Sequence, residues 1–310
     1  DDGVAITNDL NIYSLASQLF YFGYSPADGN GDDGIDIYTY TSTSSVFFQN
    51  VVLYESSASY NDGYGLIIDS NAYSGSLQVL YADILYSDLD GNGAYGAFIR
   101  NSASGAGFFG DSDIVSYVNI YASSFDYNGS TGFGLLNYAS ATGDVYSTLY
   151  VGYSSFSENG NDGAFIFNQA SGAGSLVANA TYFAGNYYPN IVTGSVFYNN
   201  NQDGLDVDNV ATGGGTVYQM LAVLGTYIGY NGDNGVEIGN YATGAGSFIY
   251  AYNYFGDSAL YYTDIVGNGS NGIFSFSTAT DEGTVYDVLV LDNVLAGFNG
   301  IDGVYVGTYN

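Results

Sequence analysis

The chain has no cysteine, no histidine and no tryptophan in its 310 residues. It has no lysine either, and Arg100 is its one basic side chain. Without thiols there are no disulfides, thiolate metal sites or cysteine nucleophiles. Without imidazole, histidine-held zinc, haem ligation through histidine and a Ser-His-Asp triad are excluded. Without lysine there are no isopeptide cross-links. Against one positive charge stand 31 acidic residues, a net charge of −30. Such a surface repels nucleic acid and anionic membranes, which both require cationic contacts. No apolar run approaches the roughly 20 residues of a membrane helix.

What is present is as lopsided. Glycine numbers 45 and tyrosine 35, whereas proline numbers 2, and 46% of residues are hydrophobic. With only 10% charged residues the chain is not an acidic disordered tail. Scarcity of Lys, Arg and Glu with abundant Tyr, Val and Thr favours strands and turns over helices. The dominance of Ser, Thr, Asn, Gly and Tyr among polar positions is that of an extracellular or cell-surface protein. The opening residues "DDGVAITN" are not a signal peptide.

A repeat organises the chain. Gly3, Gly34, Gly65, Gly96, Gly132, Gly163, Gly204, Gly235, Gly272 and Gly303 are spaced 31, 31, 31, 36, 31, 41, 31, 37 and 31 residues apart. One and three residues after the glycine stand apolar residues, as in Ile35/Ile37, Leu66/Ile68 and Leu205/Val207, with Ser275 the exception. The residue between them varies from Asp36 to Ile67 to Glu237. A period of two with one constant apolar face is a strand with that face buried. The glycine itself either needs a positive φ or has no room for a Cβ.

Each unit also closes on asparagine, at Asn30, Asn61, Asn92, Asn128, Asn159, Asn200, Asn231, Asn268 and Asn299. Five residues earlier most units have Ser or Thr. A second column, Asn101, Asn137, Asn168, Asn209 and Asn240, follows five residues after the glycine. These columns predict an all-β solenoid in which identical side chains stack about 4.8 Å apart. Stacked amides then hydrogen-bond from coil to coil. The expected architecture is one domain over residues 1–310, with coils beginning near 1, 31, 62, 93, 129, 160, 201, 232, 269 and 300.

The string "SSFSENGNDGAFIF" at 154–167 resembles the right-handed parallel β-helix repeat of pectate-lyase-like proteins. The resemblance covers essentially the whole chain. It implies a right-handed parallel β-helix of about nine coils and says little of chemistry, since that fold hosts lyases, hydrolases, adhesins and passenger domains. The coils here are longer than that family's usual ones. The excess is expected in loops at one corner, where 169–175 and 241–247 fall. A weaker resemblance, to Gly-Asp nonapeptide repeats that bind calcium, is opposed by the 31-residue period.

Several residue groups invite a functional reading. The recurrent Asn-Gly-x-Asp-Gly suggests a calcium row, but its Asp is replaced at Tyr95 and Thr131, so a turn with an amide ladder fits better. Asp206, Asp208 and Glu237 fall on one outward face of adjoining coils. Carboxylates so placed would hold Ca²⁺, act as an acid/nucleophile pair, or form a solvated acidic face. Arg100 stacks on Asp69 and predicts an ion pair. The sequons at Asn128, Asn179 and Asn268 are glycan acceptors by pattern. Asn128 and Asn268 belong to the ladder, whereas Asn179 is expected in the extra length near Pro189 and so to be accessible.

No acid/base set marks the chain as an enzyme, and the family's polyanion chemistry finds neither a base nor an attractive field here. The chain begins in mid-repeat and stops one strand into a tenth coil. Open solenoid ends expose unpaired strands and core. The expected function is a structural subunit of an extracellular filament, joined head to tail with copies of itself. The alternatives are a cell-surface adhesin or carbohydrate-binding stalk that meets surface glycans, and a glycoside-active enzyme.

Overall fold

A computed structural model describes residues 2–11, 13–105, 112–184, 194–256 and 262–309. Every regular element among them is a strand, and every pairing is parallel. Ten strands, from Val4–Leu10 and Ile35–Thr41 to Val304–Tyr309, form the first sheet. Nine, from Leu15–Gly23 to Thr284–Asp292, form the second, and five short ones, from Ser155–Ser157 to Val294–Gly297, the third. In the first four coils single parallel bridges, Pro26 to Ser57 to Asp88 to Ser124 to Ser155, take the place of the third sheet's strands. The chain is thus a right-handed parallel β-helix, the hand that parallel crossovers adopt.

The register follows the sequence columns. Ile35 pairs with Leu66, Leu66 with Ala97, and Asp206 with Glu237. The apolar positions one and three after the glycine are sealed in the interior coils, with Ile37, Ile68, Ile166 and Val207 fully buried. Three phenylalanines of successive coils stack inside the third corner, Phe125 on Phe156 at 5.1 Å and Phe156 on Phe197 at 4.8 Å. Such ring pairs contribute about 0.5–1.5 kcal/mol beyond their burial.

The corner ladder is continuous. The amide of Asn30 donates to Asn61 Oδ1 at 2.8 Å, and the Asn30 backbone N–H donates to the same oxygen at 2.9 Å. The same pair of bonds recurs in every coil up to Asn268 and Asn299, both at 3.0 Å. A hydroxyl ladder accompanies it, in which the N–H of Ser56 donates to Ser87 Oγ and that of Ser87 to Ser123 Oγ. The second asparagine column is fully buried between the main apolar core and a smaller apolar cluster around Ala103, Ala139 and Ala170.

The backbone decides one reading of the repeat and corrects another. The recurrent glycine does not need a positive φ. A Cβ on Gly163 would stand 2.6 Å from Gly204 O and 2.8 Å from the Asn200 amide, so its cause is close approach. The positive φ sits instead just before each ladder asparagine, at Gly29, Tyr60, Gly91, Tyr127, Glu158, Asn199, Tyr230, Gly267 and Phe298. Second, segments 169–175 and 241–247 make the corner between the first two sheets. The extra residues of the two longest coils fall instead after the second-sheet strands, at 185–193 and 257–261, with Pro189 among them. Those lie outside the described residues, as do 106–111.

Candidate functional site

The carboxylate face is built by the first sheet. Asp206 and Asp208 alternate with the buried Leu205 and Val207, and the parallel register sets Glu237 beside Asp206. Two acids of the recurrent turn join them, because Asp162 and Asp203 stand three residues before those strand positions and are 8% and 7% exposed. Asp162 Oδ1 accepts the N–H of Asp203 at 3.1 Å, and Asp203 Oδ1 accepts the N–H of Asn234 at 2.6 Å. The amide of Asn234 donates to Glu237 Oε2 at 2.9 Å.

This is not a solvated acidic face. One oxygen of Asp206 is enclosed without a hydrogen-bond partner. Burial, reinforced by Asp208 and other neighbouring carboxylates, pushes the Asp206 carboxyl up to about 9. Burial and then Glu237 push Asp203 up to about 8, and burial with Asp162 pushes Asp208 up to about 6. Glu237 is raised by burial and by Asp208. Like charges forced together in a low-dielectric setting resolve by protonation. The group therefore behaves as a proton-holding cluster near neutral pH.

As a metal site the three sequence-chosen residues do not converge. Among the described residues the carboxylates that bring their oxygens within 4.8 Å of one another are Asp2, Asp32 and Asp33. Asp206, Asp208 and Glu237 do not meet that condition, and a Ca²⁺ ion requires six to eight converging oxygens. Neither the cleft beside Tyr146 and Tyr218 nor that beside Tyr24 and Tyr86 is lined by these residues. Sequence reasoning passed over Asp162 and Asp203 because the turn acid is replaced at Tyr95 and Thr131 in other coils, which pointed to turn chemistry.

One of the three sequons is relocated too. Asn179 does not lie in the extra length near Pro189. It sits in the strand Leu176–Ala184, 4% exposed, and accepts from the Thr181 hydroxyl at 2.9 Å. Parallel pairing with Ser147 and Gln219 on either side points its amide into the solenoid. Asn128 and Asn268 are ladder members, 1% and 2% exposed. Folded, none of the three amides is presented to solvent. Arg100 does bond Asp69 through both Nε, at 3.0 Å, and Nη2, and its side chain is 43% exposed.

The terminal coils differ from the interior in kind. The core column that buries Ile273 completely leaves Val304 37% and Val306 59% exposed in the last coil. Val4 and Ile6 of the first coil are half-buried, while Ile35 and Ile37 above them are sealed. The ladder also has a direction, since every coil donates to its C-terminal neighbour. Its polarity turns the amide oxygen of Asn30 toward one end and the donors of Asn299 toward the other. At every joint between coils, acceptors of one coil thus face donors of the coil before it.

Comparison with known proteins adds little to this geometry. No family model and no curated protein matches the chain. A similarity among solved structures is to the A-module of mannuronan C-5 epimerase AlgE6 from Azotobacter vinelandii, at 14% identity over 96% of this chain and 91% of that one, with a TM-score of 0.21. At that level the likeness carries no argument, and the parallel β-helix rests on the three sheets of this chain themselves.

Proposed function

We propose that the chain is a structural subunit of an extracellular surface filament, in which the last coil of one copy stacks on the first coil of the next. The observation that carries the reading is the one direction of the corner ladder, in which every coil donates to its C-terminal neighbour and repeats the same contacts, so that coils of separate copies can join as coils of one copy do. A head-to-tail joint would set Asn299 donors against Asn30 Oδ1, and Val304 and Val306 against Val4 and Ile6. Each contact repeats one that already holds neighbouring coils together. A heterologous contact of this kind does not close on itself, so it extends along one axis. The acidic, lysine-free surface supports the same reading, because mutual repulsion between rod sides disfavours lateral clumping.

The test is the behaviour of the isolated chain with rising concentration. Negative-stain electron microscopy and light scattering are expected to show rods that lengthen without thickening. Val306→Asp places a charge in the joint and is expected to leave short, folded monomers. Rods that stay monomeric at every concentration overturn the reading, as does lengthening that Val306→Asp leaves unchanged.

A further inference from the structure

The outer face of the second sheet carries two side-chain columns set by the parallel register. One reads Tyr146, Ala178, Tyr218 from coil to coil. The other reads Tyr117, Thr148, Ala180, Met220 and then Tyr252. At the level of Ala178 and Ala180 both columns fall from large side chains to methyl groups. The result is a cleft of about 520 Å³, within the size range of small-molecule sites. Tyr146 and Tyr218 wall it, and they are 41% and 47% exposed.

The lining decides the class of ligand. It contains no charged side chain. Its large polar side chains are turned away, because Ser147, Asn179 and Gln219 are only 3%, 4% and 2% exposed and face the interior. A sugar needs directed partners for several hydroxyls, and here only phenol and Thr148 hydroxyls are on offer. Ring faces, by contrast, attract cations through their quadrupole. The surroundings add to that pull. The Tyr146 hydroxyl donates to Asp144 Oδ2 at 3.3 Å at the cleft's edge, and the whole chain carries −30. Its one basic residue, Arg100, is bonded to Asp69 on the first sheet. A small inorganic cation keeps its water rather than lie on a ring, whereas an alkylated ammonium is weakly hydrated and fits an apolar floor.

We infer that the cleft over Ala178 and Ala180 is a binding site for a small quaternary ammonium cation, held between the faces of Tyr146 and Tyr218 above a floor of two methyl groups. The inference does not depend on filament assembly, since the cleft lies on the side of the rod, away from its ends.

Tetramethylammonium chloride is the probe, titrated at constant ionic strength against sodium chloride and followed by tyrosine resonances in NMR. Saturable shifts of the Tyr146 and Tyr218 rings are expected. The double variant Tyr146→Leu and Tyr218→Leu is expected to weaken binding about tenfold, the loss of two ring contacts. Ala178→Tyr continues the tyrosine column, keeps the net charge, and is expected to abolish binding with the melting temperature preserved. Binding unchanged in Ala178→Tyr would mean that diffuse negative charge holds the cation, and overturns the site. Shifts that never saturate, or cellobiose that saturates the same rings without displacement by tetramethylammonium, overturn it as well.

Discussion

Two asparagine columns run along this solenoid, and they are built differently. The corner column spans all nine coils from Asn30 to Asn299, and each Oδ1 after the first accepts both the amide and the backbone N–H of the asparagine before it. The inner column has an unbroken run of five asparagines, linked by side-chain bonds of 2.9 Å from Asn101 through Asn240, and Asn8 at the same position of the first coil donates to Thr39 Oγ1 at 3.2 Å. Its positions are held by Thr39 and Ser70 in earlier coils and by Ser277 in a later one. The corner column satisfies a backbone group that the turn leaves without a sheet partner, so the amide is demanded in every coil. The inner column satisfies no backbone group, and a hydroxyl takes its place at Thr39, Ser70 and Ser277.

That contrast is broken most sharply at the corner. Asn159→Ala strips the acceptor from two donors of Asn128, both buried, and is expected to cost about 3 kcal/mol, given 1–3 kcal/mol per orphaned group. Urea unfolding measures it. Gly163→Ala attacks the same corner through the backbone, since its Cβ would crowd Gly204 O and the Phe197 ring at 2.6 and 2.8 Å. A loss of about 2 kcal/mol is expected from such overpacking, and a neutral result would place the glycine's role elsewhere. Asn168→Ala in the inner column orphans side-chain groups alone, on Asn137 and Asn209, and is expected to cost about 1–2 kcal/mol. If it costs more than Asn159→Ala, the ranking of the two columns is wrong.

The carboxylates beside the corner add a pH dependence of definite sign. Asp203 and Asp206 hold their protons in the folded chain up to about 8 and about 9, whereas unfolded they lose them near 3.8. The folded state therefore binds more protons, so this stabilisation is whole below pH about 4 and is lost as pH rises through 8 and 9. Melting temperatures should fall across that window, and Asp203→Asn with Asp206→Asn should flatten the fall. A melting temperature that rises from pH 5 to pH 9 contradicts the cluster's protonation. The smallest effect concerns the residue before the ladder. Glu158→Gly relieves a φ of 56° and is expected to stabilise by about 0.5 kcal/mol, because left-handed backbone disfavours a side chain by 1–2 kcal/mol and glycine's entropy returns part of that.

The candidate sites were legible to very different degrees. The strand after each glycine, both asparagine columns and the Arg100–Asp69 pair could be read because each depends on positions repeating at a fixed offset. Asp206 beside Glu237 was legible for the same reason, but the burial that changes their chemistry was not. The turn acids Asp162 and Asp203 add their charge to the buried Asp206, and no spacing within one coil reports how deeply a carboxylate lies. Asn179 is misplaced by the sequence because spacing alone does not fix where in the 41-residue interval the extra residues fall, and its strand runs unbroken from Leu176 to Ala184.

The one-dimensional repeat determined by itself that coils stack in register, which columns face inward, and that amides at the corner bond along the axis. Stacking adds the same offset at every step, so a pattern in sequence becomes a line in space. The tertiary structure alone decided which acids lose water, which sequon turns inward, where the backbone takes a positive φ, and where the tyrosine column breaks over Ala178. Those depend on how the three sheets face one another around the coil, and that relation is set by packing across the core and not by the spacing of any one column.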